Sequence, residues 1–388
     1  MDTDGFQVRI IDNEKGKGLF ATRLYKEGNI ILEEKPLVCC QFSWNAEYGY
    51  LACDNCLKPL ETAEENARRL TNKPDIILPH MECCETKKNL ITECSACGIK
   101  YCSNECKNEA MEKYHKVLCL QSRNRNDDHP LLQLNETWKQ MHYPPETATI
   151  MLLARMIAII IQTSNQGDIL QTFSQFCHRT VNDTHEIAHN LLGEKFIGQI
   201  DVLRRLLQKA LNNDYTLNWF TPEGFRSLLA LVGTNGQGIG TSAFARWAKN
   251  VNVLELPENE RIHVDKFIER LYDDMEEVVG SFLNNEGSGL YVLQSTVNHS
   301  CLSNAVVEFP YSNSTLVLRA IRNIQPGDEI TISYLEDCEL TRSRHSRQKA
   351  LKSLYLFICS CDKCQSQAGD PDETSDDDDY DDDDDDYM

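Results

Sequence analysis

Asn298-His299-Ser300-Cys301, Ile330-Thr331-Ile332-Ser333-Tyr334 and Phe357-Ile358-Cys359-Ser360-Cys361-Asp362-Lys363-Cys364 follow one another within 67 residues. The first is a polar turn with a carboxamide beside an imidazole. The second is an apolar strand ending in a phenol, and the third sets three thiols at metal-ligand spacing. A structural zinc takes four protein ligands, so Cys359, Cys361 and Cys364 need one from elsewhere, and Cys301 is the candidate. That ligation predicts the Asn298 turn and the C-terminal thiols side by side, as the walls of one cofactor pocket stapled by zinc.

Around this core, 388 residues leave room for two or three domains and a substantial interior. The formal charge is −21, but residues 370–388 alone hold 13 acidic side chains, leaving −8 for the body. A net-acidic body with no basic run argues against direct nucleic-acid binding, which needs clustered Lys and Arg, and favours a basic protein partner. The chain opens Met1-Asp2-Thr3-Asp4-Gly5, without a basic and apolar leader, so a reducing compartment is expected for its 17 cysteines. Closely spaced cysteines then read as metal ligands rather than disulfides. The longest apolar run, Ile150 to Ile161, is interrupted by Arg155 and falls short of the roughly 20 residues that span a bilayer. No membrane segment is expected.

Along the chain, Phe6 to Ile11, Lys15 to Phe20 and Asn29 to Glu33 read as short strands separated by glycine turns. A cysteine-rich stretch follows from Cys53 to Cys119, then helical patterning from Pro144 to Leu283. Thr147 to Gln162 opens behind Pro144-Pro145-Glu146, Gly224 to Val232 opens behind Thr221-Pro222-Glu223, and Asn259 to Phe282 has helical spacing throughout. Strands return at Val306 to Phe309, Leu316 to Ile321 and Ile330 to Tyr334, before a basic helix over Thr341 to Leu354. Strands at both ends with helices between predict that the two ends share a sheet. The Asp tail is low in complexity and expected to be disordered.

Cys53-x2-Cys56, Cys94-x2-Cys97, Cys102-x3-Cys106 and His115-x3-Cys119 supply eight ligands, enough for two tetrahedral zinc sites, with a helix expected over Ser103 to Leu118. This order resembles the MYND zinc finger. The resemblance implies interleaved ligation, with Cys53, Cys56, Cys102 and Cys106 on one ion and Cys94, Cys97, His115 and Cys119 on the other. A 37-residue spacer after Cys56 departs from the family's short one; it holds a helix expected over Glu61 to Leu70 and the adjacent Cys83-Cys84, which read as ordinary thiols.

Taken together, the chain resembles the SET and MYND domain family of protein lysine methyltransferases from about residue 6 to residue 365, nearest to the family's fifth branch. Three features carry that finer likeness: Gly233-Thr234-Asn235-Gly236-Gln237-Gly238-Ile239-Gly240, the wide spacer, and the acidic tail soon after the last cysteine. The resemblance implies an α+β architecture, a SET β-fold split by an inserted MYND finger and a helical insert. It divides the chain into SET residues 6–50, the finger with its spacer at 53–119, a helical linker and insert at 140–285, SET residues 286–340, a zinc-binding post-SET segment at 341–366 and the tail at 367–388. Three zinc ions and S-adenosylmethionine are the implied cofactors.

Residue by residue, the resemblance makes Tyr334 the catalytic tyrosine and Tyr355 a wall of the lysine channel. It gives Asn298, His299 and Phe357 to S-adenosylmethionine, the last by stacking on adenine. Gly16, Lys17 and Gly18 supply a loop whose backbone approaches the cofactor, and Asn235 is a further contact. A lone Gly-x-Gly is weak evidence, equally compatible with an ordinary turn. Ser303 stands where the family usually has proline.

The implied activity is methyl transfer to lysines of basic proteins, with histone tails and a ribosomal protein as substrates, in nucleus and cytoplasm. The alternative is a non-catalytic adaptor in which the finger binds a proline-rich or corepressor peptide; the complete pocket set of Asn298, His299, Tyr334, Tyr355 and Phe357 favours the enzyme. The acidic tail reads equally as a solubility tail or as an arm that attracts basic partners.

Overall fold

The two ends of the chain interleave strand by strand. The computed structural model describes residues 2–3, 5–12, 15–120, 128–141, 149–182, 187–188 and 197–371. Its main strands are β1 (Phe6–Asp12), β2 (Gly16–Ala21), β3 (Ile30–Glu34), β4 (Val38–Gln41), β5 (Gln237–Thr241), β6 (Asn285–Leu290), β7 (Asn298–His299), β8 (Ala305–Glu308), β9 (Leu316–Ala320) and β10 (Glu329–Ile332). One sheet orders β1, β2, β10, β7; a second orders β5, β6, β4; a third orders β8, β9, β3. Each of these sheets pairs an N-terminal strand with a C-terminal one; the sequence pattern predicts this for the first and third, whereas the second consists of strands it does not mark, with Gln237–Thr241 inside the stretch expected to be helical. Their inward faces bury Leu19, Ile31, Leu32, Ile239, Tyr291, Leu316, Leu318, Ile330 and Ile332 in one core.

The helices are α1 (Ala63–Thr71), α2 (Asn104–Ala110), α3 (Pro130–Met141), α4 (Ile150–Gln162), α5 (Ile197–Leu211), α6 (Pro222–Asn235), α7 (Ala243–Val251), α8 (Glu258–Val279) and α9 (Arg344–Tyr355). Local chemistry explains several starts. Thr62 and Glu65 form a reciprocal capping box on α1, and the Thr221 hydroxyl accepts from the Gly224 N–H with Pro222 at the first position of α6. The expected Pro144-Pro145-Glu146 opening lies outside the described residues; α4 itself is capped by Thr149. The acidic tail beyond residue 371 also lies outside them. No helix among the described residues is long and apolar enough to cross a membrane.

Two helical cores flank the sheets. α3, α4, α5 and α6 pack with the cysteine-rich finger, through Leu134, Trp138, Leu153, Ile157 and Phe225 among others. The long spacer goes elsewhere: Ala63, Ala67, Leu70 and Leu78 pack against Phe244, Trp247, Leu271 and Met275 of α7 and α8. Cys84 is buried in that same core and Cys83 is half-buried at its edge, which agrees with their reading as ordinary thiols.

Arg155, the charge that interrupts the apolar run, is the bolt between finger and sheet. It is 6% exposed and donates to the Cys39 and Asp54 carbonyls, both at 2.7 Å, and to the Asp54 carboxylate at 2.8 Å. Its guanidinium stacks 4.2 Å from the Tyr114 ring, whose hydroxyl donates to the same carboxylate at 2.9 Å. Removing one partner of a buried ion pair leaves the other uncompensated, so Arg155→Met is expected to destabilise the fold by about 3–5 kcal/mol in chemical denaturation. A loss under about 1 kcal/mol would show that the pair is not what ties these units together.

Candidate active site

Parallel pairing of β7 with β10 places Asn298 beside Thr331 and His299 beside Ile332, while β10 pairs antiparallel with β2 on its other edge. Across this seam the Asn298 carboxamide donates to the Lys17 carbonyl at 2.9 Å and to Glu329 at 2.8 Å. Gly16 takes φ +70°, a conformation that side chains disfavour, and a Cβ added there would meet nothing within 4 Å. At Gly18 the constraint is packing: a Cβ would lie 2.6 Å from Ile11 Cδ1 and 3.1 Å from Glu329 Oε1. The weak Gly-x-Gly signal thus belongs to β2 itself, stitched to Asn298 and bordering open space.

His299 turns the strand end into a cluster. Its Nδ1 accepts from the Tyr334 N–H at 2.9 Å, and its Nε2 lies 3.3 Å from Cys301 Sγ. With Nδ1 an acceptor, the ring proton belongs on Nε2, facing sulfur. The Tyr334 hydroxyl donates to the Val297 carbonyl at 2.8 Å. Tyr355 lies 4.8 Å from the Tyr334 ring and Phe357 6.2 Å from it, edge-on at 87°, with Phe357 also 6.0 Å from His299. These are aromatic contact distances. Leu356, between the two aromatics, takes φ +62° and closes α9, reversing the chain so that both rings reach Tyr334. Burial pushes the Tyr334 phenol well up, with Tyr355, Cys177 and Glu329 adding in that order, and burial likewise raises Tyr355. Both phenols stay protonated at neutral pH.

Cys301 does meet the C-terminal thiols. Its Sγ is 3.6 Å from Cys364 and 4.0 Å from Cys359, and all four ligand atoms, Cys361 included, lie within 4.8 Å of one another. Four sulfurs about 2.3 Å from one centre stand about 3.8 Å apart, so the group has the spacing of a zinc tetrahedron. Arg347, 1% exposed, donates to Cys364 Sγ at 3.7 Å, and Gln348 bonds the Cys359 backbone in both directions. Such outer contacts orient ligands and offset thiolate charge.

The finger's two groups interleave as the resemblance implies. Cys53, Cys56, Cys102 and Cys106 form one, and Cys94, Cys97, His115 and Cys119 the other, each within 4.8 Å. Sulfur spacings of 3.7, 3.5 and 3.9 Å and a Cys97 to His115 Nε2 distance of 3.5 Å again suit tetrahedral zinc. Tyr101 bonds His115 Nδ1 at 3.0 Å, leaving Nε2 for the metal. The expected single helix over Ser103 to Leu118 contains a π-turn at Met111–His115. That one-residue widening re-aims His115, and Gln162 covers the freed Met111 and Glu112 carbonyls.

Beside the tyrosines opens a cleft of about 550 Å³. Tyr334, Tyr355 and Ser333 form one wall, and Asn235 to Gly240 with Glu286 form another. Asn235 therefore sits at the cleft, with its side-chain nitrogen donating to the Cys177 and Leu231 carbonyls. The sequence reading missed Glu34, whose carboxylate accepts from the Leu293 and Gln294 N–H groups and holds the segment leading to Asn298. It also missed Glu286 and Gln294; nothing in their local sequence marks them.

The SET domain family model matches residues 16–335. The chain is 53% identical over 370 residues to the protein-lysine N-trimethyltransferase SMYD5 of Gallus gallus, covering 95% of this chain and 88% of that protein. The Homo sapiens protein of the same name is 52% identical over the same shares. The histone-lysine N-methyltransferase ASHR1 of Arabidopsis thaliana is 25% identical across 91% of this chain and 54% of its own length. With the sheets interleaved around Asn298 and Tyr334 and this likeness along nearly the whole chain, the protein belongs to the SET domain family of protein-lysine methyltransferases.

Proposed function

We propose that this chain methylates lysines in basic protein segments, histone tails and ribosomal proteins being the substrate class, with Tyr334 at the reacting atoms. S-adenosylmethionine supplies the methyl group from its sulfonium. The chain's residues suit it: open space over Gly16, the Asn298 seam and the Phe357 face give a backbone edge, a polar anchor and a ring to stack on. Gly16, Lys17, Gly18, Asn298, His299 and Phe357 would hold it. Asn235, on the cleft wall, would be a further contact through its side-chain oxygen. Zinc at all three cysteine groups, one ion each, would be structural.

Methyl transfer is an in-line displacement, so the enzyme must present an uncharged amine along one axis. The Tyr334 and Tyr355 rings, in contact with each other on the cleft wall, would give the amine an apolar surface against which an ammonium is disfavoured. Because Tyr334 spends its proton on the Val297 carbonyl, its oxygen keeps lone pairs for the amine N–H groups or a polarised methyl C–H. As a phenol with a raised pKa it orients rather than accepts the lysine proton, which must leave to solvent before transfer. The anchored hydroxyl of Tyr334 between the Asn298 seam and the cleft is the observation that carries the reading.

Radiolabelled methyl transfer to core histones and to ribosomal proteins tests it; no labelling of either would favour the adaptor. Trimethylation is the product that the relatives' name carries to this proposal, and nucleus and cytoplasm are where such substrates occur. The acidic tail would raise the encounter rate with basic substrates without adding specificity. Deleting residues 370–388 is then expected to lower kcat/KM at low salt, with the gap closing as salt is raised. Equal activity at every ionic strength would remove the tail from that role.

A further inference from the structure

The substrate cleft contains a carboxylate without a partner among the described residues. Glu286 lies on β6 directly opposite Gly240 of β5, with Phe42 on its other edge, so neither cross-strand neighbour brings a polar group to its carboxylate. Its main chain is fully used, bonding Asn45 and Phe42, yet its carboxylate has no hydrogen bond or ion pair among the described residues. Burial alone raises its pKa, with no compensating cation. The cleft lining offers no remedy, since it includes no Lys, Arg or His. The other carboxylate there, Glu336, is occupied at the start of the short helix Asp337–Leu340, in a reciprocal capping box with Glu339.

A second, independent vacancy lies on the same lining. Gln294 is 7% exposed; its Nε2 donates to Gln237 at 3.1 Å, while its Oε1, closed to solvent, has no partner among the described residues. Buried acceptors are costly to leave unpaired, and a carboxylate that is half-buried, as Glu286 is, already carries part of that cost. An unpaired carboxylate in a cleft lined by no cationic side chain describes a complement: a chain that brings a cation.

We propose that Glu286 is a specificity residue, pairing with an arginine or lysine of the substrate that flanks the target lysine. This rests on the methyltransferase reading above and sharpens it: the substrate is a lysine with a second basic residue close by in sequence. A target lysine in neutral sequence would leave Glu286 uncovered and bind more weakly.

The test uses the full-length protein and alanine-based 15-residue peptides with one central lysine and a single arginine scanned from three positions before to three positions after it. Two readouts run in parallel, kcat/KM for labelled methyl transfer and Kd by fluorescence anisotropy. Wild type is expected to favour arginine at one or two positions by about 10- to 100-fold over the arginine-free peptide. In Glu286→Gln, nearly the same size and shape, that ratio is expected to fall towards one in both readouts. An arginine preference of equal size in the variant, or none at any position in wild type, overturns the proposal. Absence of turnover with every peptide overturns the enzyme reading instead, and the binding ratios then still decide the role of Glu286.

Discussion

Tyr334→Phe is expected to lower kcat for methyl transfer by about 10²- to 10³-fold, with KM for the peptide little changed. The ring remains, so its contacts with Tyr355, Phe357 and His299 survive, and so does the backbone bond from Tyr334 to His299 Nδ1. What disappears is one oxygen. The Val297 carbonyl loses its donor, a stability cost of about 1–3 kcal/mol that thermal melting would register separately. A residue that merely packed the strand end would show that stability loss without the fall in kcat. Labelling indistinguishable from wild type would take Tyr334 out of the reaction.

The second large effect concerns the metal that would staple the pocket. Cys359→Ser is expected to remove one zinc ion of three in native mass spectrometry and to abolish methyl transfer, because structural zinc binding contributes about 10–16 kcal/mol to small domains. The route is geometric. Cys301 is two residues from His299 and Cys359 two residues from Phe357, so without the ion the α9 end, with Tyr355 and Phe357, is no longer held against Tyr334. Arg347 would then face thiols with no tetrahedron to offset. Full activity in a protein with two zinc ions would refute the staple. Cys106→Ser is the control, removing an ion from a finger that packs in another core, and its activity loss is expected to be the smaller of the two.

These two expectations differ in how far they could be read from the chain alone. Metal ligation is legible in sequence because tetrahedral chemistry imposes short, countable spacings, and the three missing-partner thiols at Cys359, Cys361 and Cys364 point to Cys301 by ligand number. The ends of six strands were legible too, since glycine turns and alternation bound them within a residue or two, from Phe6–Asp12 through Glu329–Ile332, but Val38–Gln41, Gln237–Thr241 and Asn285–Leu290, the whole second sheet, were not. The π-turn at Met111–His115 was not, as nothing in Met-Glu-Lys-Tyr-His distinguishes it from α-helix; it exists because His115 must reach sulfur. Nor was the destination of the spacer, since an amphipathic helix over Ala63–Thr71 shows an apolar face without naming its partner.

By itself, then, the amino-acid sequence determined which cysteines and histidine could be metal ligands and most of the outer strands, because those depend on residue type and short spacing; the interleaving of the finger's ligands and the roles expected of Asn298, His299 and Tyr334 came from the family resemblance. Only the tertiary structure decided which strands became neighbours, that Arg155 bolts finger to sheet, that Asn235 sits at the cleft, and that Glu286 is left without a partner. Pairing is a property of what lies across the strand, and Glu286 faces Gly240 from 46 residues away in sequence. A carboxylate's surroundings, and hence its appetite for a cation, are set by residues that the chain brings together only when folded.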